Sequence, residues 1–351
     1  MLYLKKLAES RALHGKGVRH MGKRVTIKDV AIGAGTSISV VSYVMNNTQG
    51  KSISPEMRKR VQEVAKRLNY VPNHHATALR TKKARCIGVI SYRKIDNIYA
   101  QLMDGIYREA QKDNYRVLIF PEKPEFDNQD YLNYYYDNTV DGLILICPYQ
   151  AVGSISEETH IQRMIEDKIP FMVIGDRVDL KGNNYICVDY FQTTNMATKY
   201  FISKGCTEIT YVTPKLELEF ADTRLKYEGY CAAMEEAGLE KDICYANKIR
   251  ENIRRFKTVV TNKSDTARMV TRIAMQEGLE IPRDFLLMAG NTEDFSPYTI
   301  PPLSTIAHPG VEMGALAVRA VVEKINGEVV DITDHTIPCT VHIRTSAERD
   351  F

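Results

Sequence analysis

From Val25 to Tyr70 apolar residues recur three and four positions apart in three short blocks, and from Cys86 onward they gather into short runs separated by amphipathic stretches. This pattern predicts a small helical unit followed by a larger one in which strands and helices alternate. In the first block Thr26 stands where it can cap a helix whose Ile27, Val30 and Ala31 share one face. Gly33, Ala34 and Gly35 interrupt the period, and Ser37 can cap a second helix. There Ile38, Val41, Val44 and Met45 are expected to pack inward, leaving Ser39, Val40, Ser42 and Tyr43 outward. The third block opens on Ser54 and Pro55, a cap followed by a first-turn proline, and repeats Met57, Val61, Val64 and Leu68. Its other face carries Arg58, Lys59, Lys66 and Arg67. Two short helices joined by a glycine-containing turn form a helix-turn-helix, whose second helix is shaped for the DNA major groove.

After Pro72 the segment NHHATALR, with Asn73 as its cap, predicts one further helix reaching about Arg80. So short a helix is not stable alone and should order only on DNA or on a second copy. Leu79 has two readings: an apolar wedge that parts a base step in the minor groove, or a packing residue of a linker. Lys82, Lys83 and Arg85 follow.

Strands are then expected at 86–91, 116–120, 142–147, 171–175, 208–212, 258–261 and 285–290, with helices at 98–113, 128–138, 190–204, 223–237, 264–277 and 310–326. Continuous apolar strands alternating with helices argue for parallel sheets covered on both faces. So long a stretch suits two doubly wound α/β lobes, with a ligand crevice at the strand carboxyl ends.

Charge divides the chain at the same place. Residues 1–85 hold 18 Lys/Arg against 4 Asp/Glu and residues 86–351 hold 29 against 40, so a total of +3 conceals a head of +14 and a body of −11. A basic head on an acidic body implies a polyanionic partner confined to the first quarter of the chain. The seven cysteines show no metal-binding spacing and read as reduced thiols of a cytoplasmic protein. No apolar run reaches the ~18 residues of a membrane span. Residues 1–22 are expected to be an extension outside the fold, with Met21 as an alternative start.

VTIKDVAIGAGTSISVVSYVMNN, the Ser-Pro-led third helix, VPNHHATAL and IGVI together resemble the LacI family, which includes the lactose, galactose and purine repressors. TVDGLILI, IPFMVIGDR, RLKYEGYCAAMEEAGL and IPPLSTIAHP extend the resemblance over nearly the whole chain, and RTS at 344–346 would lie in the last strand. The resemblance implies an all-α helix-turn-helix head at 23–70, a hinge at 71–85, and a two-lobed core at 86–351 of the type I periplasmic-binding-protein kind, crossed three times by the chain. It implies a transcriptional regulator, a repressor by default, that binds a pseudo-palindromic operator as a homodimer, tetramers remaining open. It places Thr26, Ser37, Ile38, Ser39, Val40, Ser42, Tyr43, Asn46, Lys59, Asn73, Ala76, Leu79 and Lys82 at DNA, with Ile38 and Ser39 near base edges and Leu79 as the wedge. It places Tyr92, Tyr99, Asp176, Arg224, Asn262 and Thr292 around a small effector, commonly a sugar or purine, with the two tyrosines suited to stacking.

The chain departs from the family at several of these points. Tyr43 and Thr77 stand where Arg is usual, and Tyr cannot make the bidentate contact of Arg to guanine. Lys263 follows Asn262 where Asp is usual, and Asn291 and Thr292 replace an aromatic and an Asp. The stretch from Gly238 to Asn262 is about a dozen residues short, which should remove a helix. Two acceptors lost and a cation gained point to an anionic effector such as a phosphosugar, or to control by a protein partner. No cofactor is implied. A transporter's solute-binding protein would share the core but has no use for a +14 head. An enzyme lacks its signatures: there is no P-loop, HExxH, GxSxG or GxGxxG. The pairs Glu157–Glu158 and Glu235–Glu236 fall on polar faces, and adjacent His74 and His75 point apart.

Overall fold

The computed structural model describes residues 25–46, 48, 50–71, 83–91, 97–121, 130–147, 155–175, 185–214, 221–292, 294–328 and 335–348. The chain separates into two compact units between residues 80 and 81.

Three helices make the first unit: α1 (Ile27–Ala34), α2 (Ile38–Met45) and α3 (Pro55–Arg67). At the start of α1 the Asp29 carboxylate accepts hydrogen bonds from both the N–H and the hydroxyl of Thr26, each 2.8 Å. Gly35, at φ 63°, makes the left-handed turn into α2, a conformation that glycine adopts without steric penalty. The Ser37 hydroxyl accepts from the Val40 N–H at 3.3 Å, and that of Ser54 from the Met57 N–H at 3.2 Å. Val30, Ala31 and Ala34 of α1, Val41 and Val44 of α2, and Val61, Val64 and Ala65 of α3 form the common core. Ile38 does not join them. It stands 42% exposed at the first turn of α2, whereas Val40, expected outside, packs partly against the core.

The second unit holds two six-stranded sheets. The first runs β11 (His335–Ile337), β5 (Tyr185–Val188), β4 (Phe171–Gly175), β3 (Gly142–Cys147), β1 (Cys86–Ser91) and β2 (Arg116–Pro121), all parallel. The second runs β12 (Thr340–His342), β10 (Ser304–Ala307), β9 (Leu286–Ala289), β8 (Thr258–Thr261), β6 (Ile209–Thr213) and β7 (Asp242–Tyr245), parallel except for the β10–β12 pair. The chain passes between the sheets three times: after β5 into α7 (Tyr190–Ser203), after β10 into α11 (Gly310–Ile325), and from β11 to β12. Helices α4 (Asn97–Lys112), α5 (Asp130–Tyr136) and α6 (Ile155–Glu166) belong with the first sheet. Helix α8 (Ala221–Glu236) packs on α7.

The entry of the chain into the first sheet is fixed by one side chain. Asp141, just ahead of β3, accepts the N–H groups of Ala84 at 2.7 Å, Arg85 at 2.6 Å and Cys86 at 3.4 Å. Arg116 donates from Nη2 to the Ala84 carbonyl at 3.1 Å. Arg85 itself takes φ 51°, a left-handed conformation that costs a non-glycine residue about 1 kcal/mol. Those neighbours hold it there.

The last strand ends at His342, and Thr345–Ala347 is a 3-10 turn, not the strand expected of RTS. The Ser346 hydroxyl accepts from the Ser304 N–H and donates to the Leu287 carbonyl, both 2.7 Å, so a side chain takes the place of a backbone ladder. The shortened stretch after Gly238 forms β7 and then α9 (Ile249–Asn252) between two 3-10 turns. Ile249, Ile253 and Phe256 cover the sheet there in place of a longer helix. Helix α10 (Ser264–Gln276) follows β8.

Helices α4 and α11 cross at glycines. A Cβ on Gly105 would lie 2.0 Å from the Val311 carbonyl oxygen, and one on Gly314 2.2 Å from that of Leu102. Gly105→Ala is therefore expected to destabilise the core by about 2 kcal/mol or more, read as a lower urea midpoint. An unchanged midpoint would show that the crossing relaxes freely.

Candidate functional site

The exposed side of α2 is where the sequence places DNA contacts. Ile38 and Ser39 are exposed in its first turn, Ser42 and Tyr43 half-buried, and Asn46 exposed at its end. The Asn46 Nδ2 turns back to donate to the Ser42 carbonyl at 2.8 Å and to its hydroxyl at 3.2 Å. Lys51, which sequence reasoning passed over, puts its ammonium 5.3 Å from the centre of the Tyr43 ring. Lys59 is exposed on α3. The Thr26 and Ser37 hydroxyls serve the helix starts described above. Asn73, Ala76, Thr77, Leu79 and Lys82 lie outside the described residues.

In the second unit the carboxyl ends of β6, β8 and β9 present Thr213, Asn262 and the turn Gly290–Thr292. Asn262 is buried, and its Oδ1 accepts from the Thr266 hydroxyl at 2.8 Å. The hydroxyls of Thr292 and Thr305 are 2.7 Å apart, and Arg344 donates to Thr305 at 3.1 Å. The Thr292 carbonyl accepts from Asn97 Nδ2 at 3.2 Å, which ties the start of α4 in the first lobe to the loop after β9 in the second. Asn97 Oδ1 is buried beside it without a partner in the described protein, a pattern expected of an acceptor that meets water or ligand.

Besides Asn262 and Thr292, two of the expected effector residues are described, and of these Tyr99 is turned into the core. Tyr99 is 9% exposed and packs in the core of the first lobe, because it shares the buried face of α4 with Leu102 and Ile106. Its ring has no free side on which to stack a sugar. Arg224 is exposed on α8, with its guanidinium 3.7 Å from Glu228 one turn on. Tyr92 and Asp176 lie outside the described residues.

The buried cation of α8 is Lys226, 2% exposed. Its ammonium sits 5.0 Å from the centre of the Tyr190 ring, and that ring meets His308 edge-on at 6.0 Å. Tyr190 and His308 belong to two of the three crossings between lobes, so Lys226 stands at the root of the cleft. Asp222, one turn before it, lies 3.6 Å from Lys263 Nζ. Burial pushes the Asp222 carboxyl up, but the charges of Lys226 and Lys263 outweigh it and hold the group below its ordinary value of 3.8. Among the described residues, two ammonium groups thus flank one carboxylate near the end of β8. The signal for Lys226 was present in the sequence: it falls three residues before Gly229, on the face of the buried Tyr230 and Ala233. Gly229 lets α8 approach α7 so closely that a Cβ there would be 2.0 Å from the Phe191 carbonyl oxygen.

Known proteins resemble the chain along most of its length. Residues 26–73 match the family model described as bacterial regulatory proteins, lacI family, and residues 198–347 match a periplasmic binding protein-like domain. Catabolite control protein A of Priestia megaterium is 28% identical over 340 residues, 92% of this chain and 99% of the relative. The ribose operon repressor of Escherichia coli strain K12 is 29% identical over 318 residues, 86% of this chain and 93% of the relative. Among solved structures, the Lac repressor dimer bound to operator and the anti-inducer ONPF shares the fold, with a TM-score of 0.73 and 20% identity over 92% of this chain and 99% of that one.

The depressed Asp222 carboxyl has a measurable consequence. A group whose folded value lies below its unfolded value stabilises the fold above the unfolded value, and the contribution disappears as pH falls through the folded one. Asp222→Asn is therefore expected to lower the urea midpoint of the core at pH 7, with the gap to wild type closing below 3.8. A gap independent of pH would mean that the two lysines do not act on this carboxylate.

Proposed function

The chain belongs to the LacI family of bacterial regulatory proteins, and we propose on that premise that it is an operator-binding repressor, working as a homodimer and switched by an anionic small molecule. The observation that carries the reading is the coincidence of three features in one segment. Residues 26–73 match the family's DNA-binding model, Ile27–Arg67 holds three helices with α2 presenting an open face, and the segment lies within the +14 head.

The homodimer is supported by exposed apolar side chains, some of them at an edge that is unpaired among the described residues. Strand β2 ends the first sheet with Leu118 and Ile119 exposed, and Tyr298 and Ile300 stand exposed in the second lobe. Such edges invite pairing with a second copy. The solved Lac repressor is itself described as a dimer on operator.

The effector reading rests on Lys226, Lys263 and Asn97 around the cleft. The ammonium groups suit a phosphate or carboxylate, and Asn97 Oδ1 suits a hydroxyl. Related regulators have been solved with cellobiose and with ribose, so a charged sugar derivative stays near the family's range. Binding between the lobes shifts their closure, and closure moves the point at which the chain leaves the core at Ala84. That motion changes the spacing of the two heads and thereby the affinity for a two-fold site. The reading places the protein in the cytoplasm and assigns it no catalytic step. Among the described residues no helix is long and apolar enough to cross a membrane.

Two measurements test this. Full-length protein should protect a two-fold DNA site in footprinting, and Lys59→Ala should weaken all DNA binding while reducing the salt slope by about one. Protein that binds every sequence equally would end the operator reading. In a thermal-shift series, phosphorylated sugars should stabilise the core and Lys263→Met should lower their affinity about tenfold. Stabilisation by a neutral sugar with none by its phosphate would overturn the anionic effector. No stabilisation by any metabolite would favour a protein co-regulator.

A further inference from the structure

Helix α2 has an unusual chemistry for a reading helix. Bidentate recognition of bases uses Arg or Lys for guanine, Asn or Gln for adenine, and Asp or Glu for cytosine. None of the charged types, and no glutamine, occurs between Ile38 and Met45. Asn46 follows the helix, but its amide nitrogen is turned onto Ser42 at 2.8 and 3.2 Å. The Ser37 hydroxyl is engaged at the helix start. Tyr43 is half-buried with Lys51 over its ring. What the first turn offers to a base edge is Ile38, 42% exposed, beside the Ser39 hydroxyl.

Ile38 is not isolated. It borders a shallow hollow shared with Ala31 and Ile32 of α1, Ile32 being 80% exposed, and Lys28 stands on its rim. An apolar hollow edged by a cation, on a head of +14, fits a ligand that is apolar at one point and anionic around it. Duplex DNA meets that description through the 5-methyl group of thymine, the apolar group displayed in the major groove.

We propose that this protein reads its operator through apolar contact of Ile38 with a thymine methyl, in place of bidentate hydrogen bonds to guanine or adenine. The proposal rests on the reading of α2 as the helix that enters the major groove. Ile38 is the specificity-determining side chain, and Ser39 and Tyr43 contribute single hydroxyls that accept or donate without committing to one base. The preferred half-site then carries a T·A pair under the first turn of α2, and uracil there is a poor substitute because it differs from thymine by that methyl alone.

The test uses full-length protein and synthetic duplexes. Sites are selected from random duplex DNA, and each thymine of the selected half-site is replaced in turn by uracil at constant salt. At the position under Ile38, loss of one buried methyl should weaken binding about fourfold, with other positions unaffected. Ile38→Ala should bind the thymine and uracil duplexes equally while keeping wild-type affinity for non-specific DNA and wild-type helicity by circular dichroism. Since Ile38 lies outside the core of the head, its truncation leaves the fold in place. Wild type that tolerates uracil at every position would overturn the methyl contact, as would Ile38→Ala that still prefers thymine. A selection that yields no preferred sequence would instead remove the regulator reading beneath it, so the two failures are told apart.

Discussion

The Asp141 carboxylate decides where the chain enters the larger unit. It accepts three successive N–H groups, from Ala84, Arg85 and Cys86, so the segment that leads to β1 cannot slide without breaking charge-assisted bonds. Strand β1 lies between β2 and β3, and its register with both follows from that anchor. The left-handed Arg85 backbone and the Arg116 bond to Ala84 belong to the same arrangement. Any change in the relation between lobes reaches the outgoing chain through this fixed point, which is stiff where a freely jointed linker would absorb the motion.

The cleft between the lobes is built from a different balance. Lys226, Lys263 and Asp222 form a group with an excess of one positive charge, next to aromatic rings from two of the crossings. The exposed lysine and the buried one have separate roles. Lys263 is half-exposed and paired with Asp222, whereas Lys226 is buried beneath Tyr190 at the base of the cleft. The buried Lys226 ammonium is screened less than the half-exposed Lys263, so its charge reaches further into the cleft.

The order of the longer strands and helices and the helix starts of the head were legible in the sequence because each rests on a local rule, whereas the three crossings came only from the family resemblance. Ser37 and Ser54 sit at caps, Pro55 opens α3, and parallel strands read as apolar runs. The short strands β5, β7, β10, β11 and β12 were not foreseen, while the equally short β8 was, because its TVVT is β-branched throughout. Ile38 was assigned to the core by its spacing, but it stands 42% exposed while Val40 and Val41 of the same turn pack inward. Tyr99 misled for the opposite reason: an aromatic near a loop suggests stacking, yet its period with Leu102 and Ile106 already placed it inside. Arg224 was singled out by resemblance, while Lys226, two residues on, holds the buried position. In both lobes the sequence told which residues were chemically capable, and only packing told which were facing the cleft.

One contact in the cleft bears on how such a protein drifts over generations. The bond from Asn97 to the Thr292 carbonyl is neutral and partly buried, of a kind worth about 1 kcal/mol. That is a factor of roughly five in the balance between closed and open lobes. A substitution at Asn97 would leave the backbone acceptor, the head and the two lysines intact and still move the resting balance of the lobes. Because the Oδ1 of the same amide is buried without a partner among the described residues, such a change alters ligand affinity and resting balance together, and the two traits drift as one.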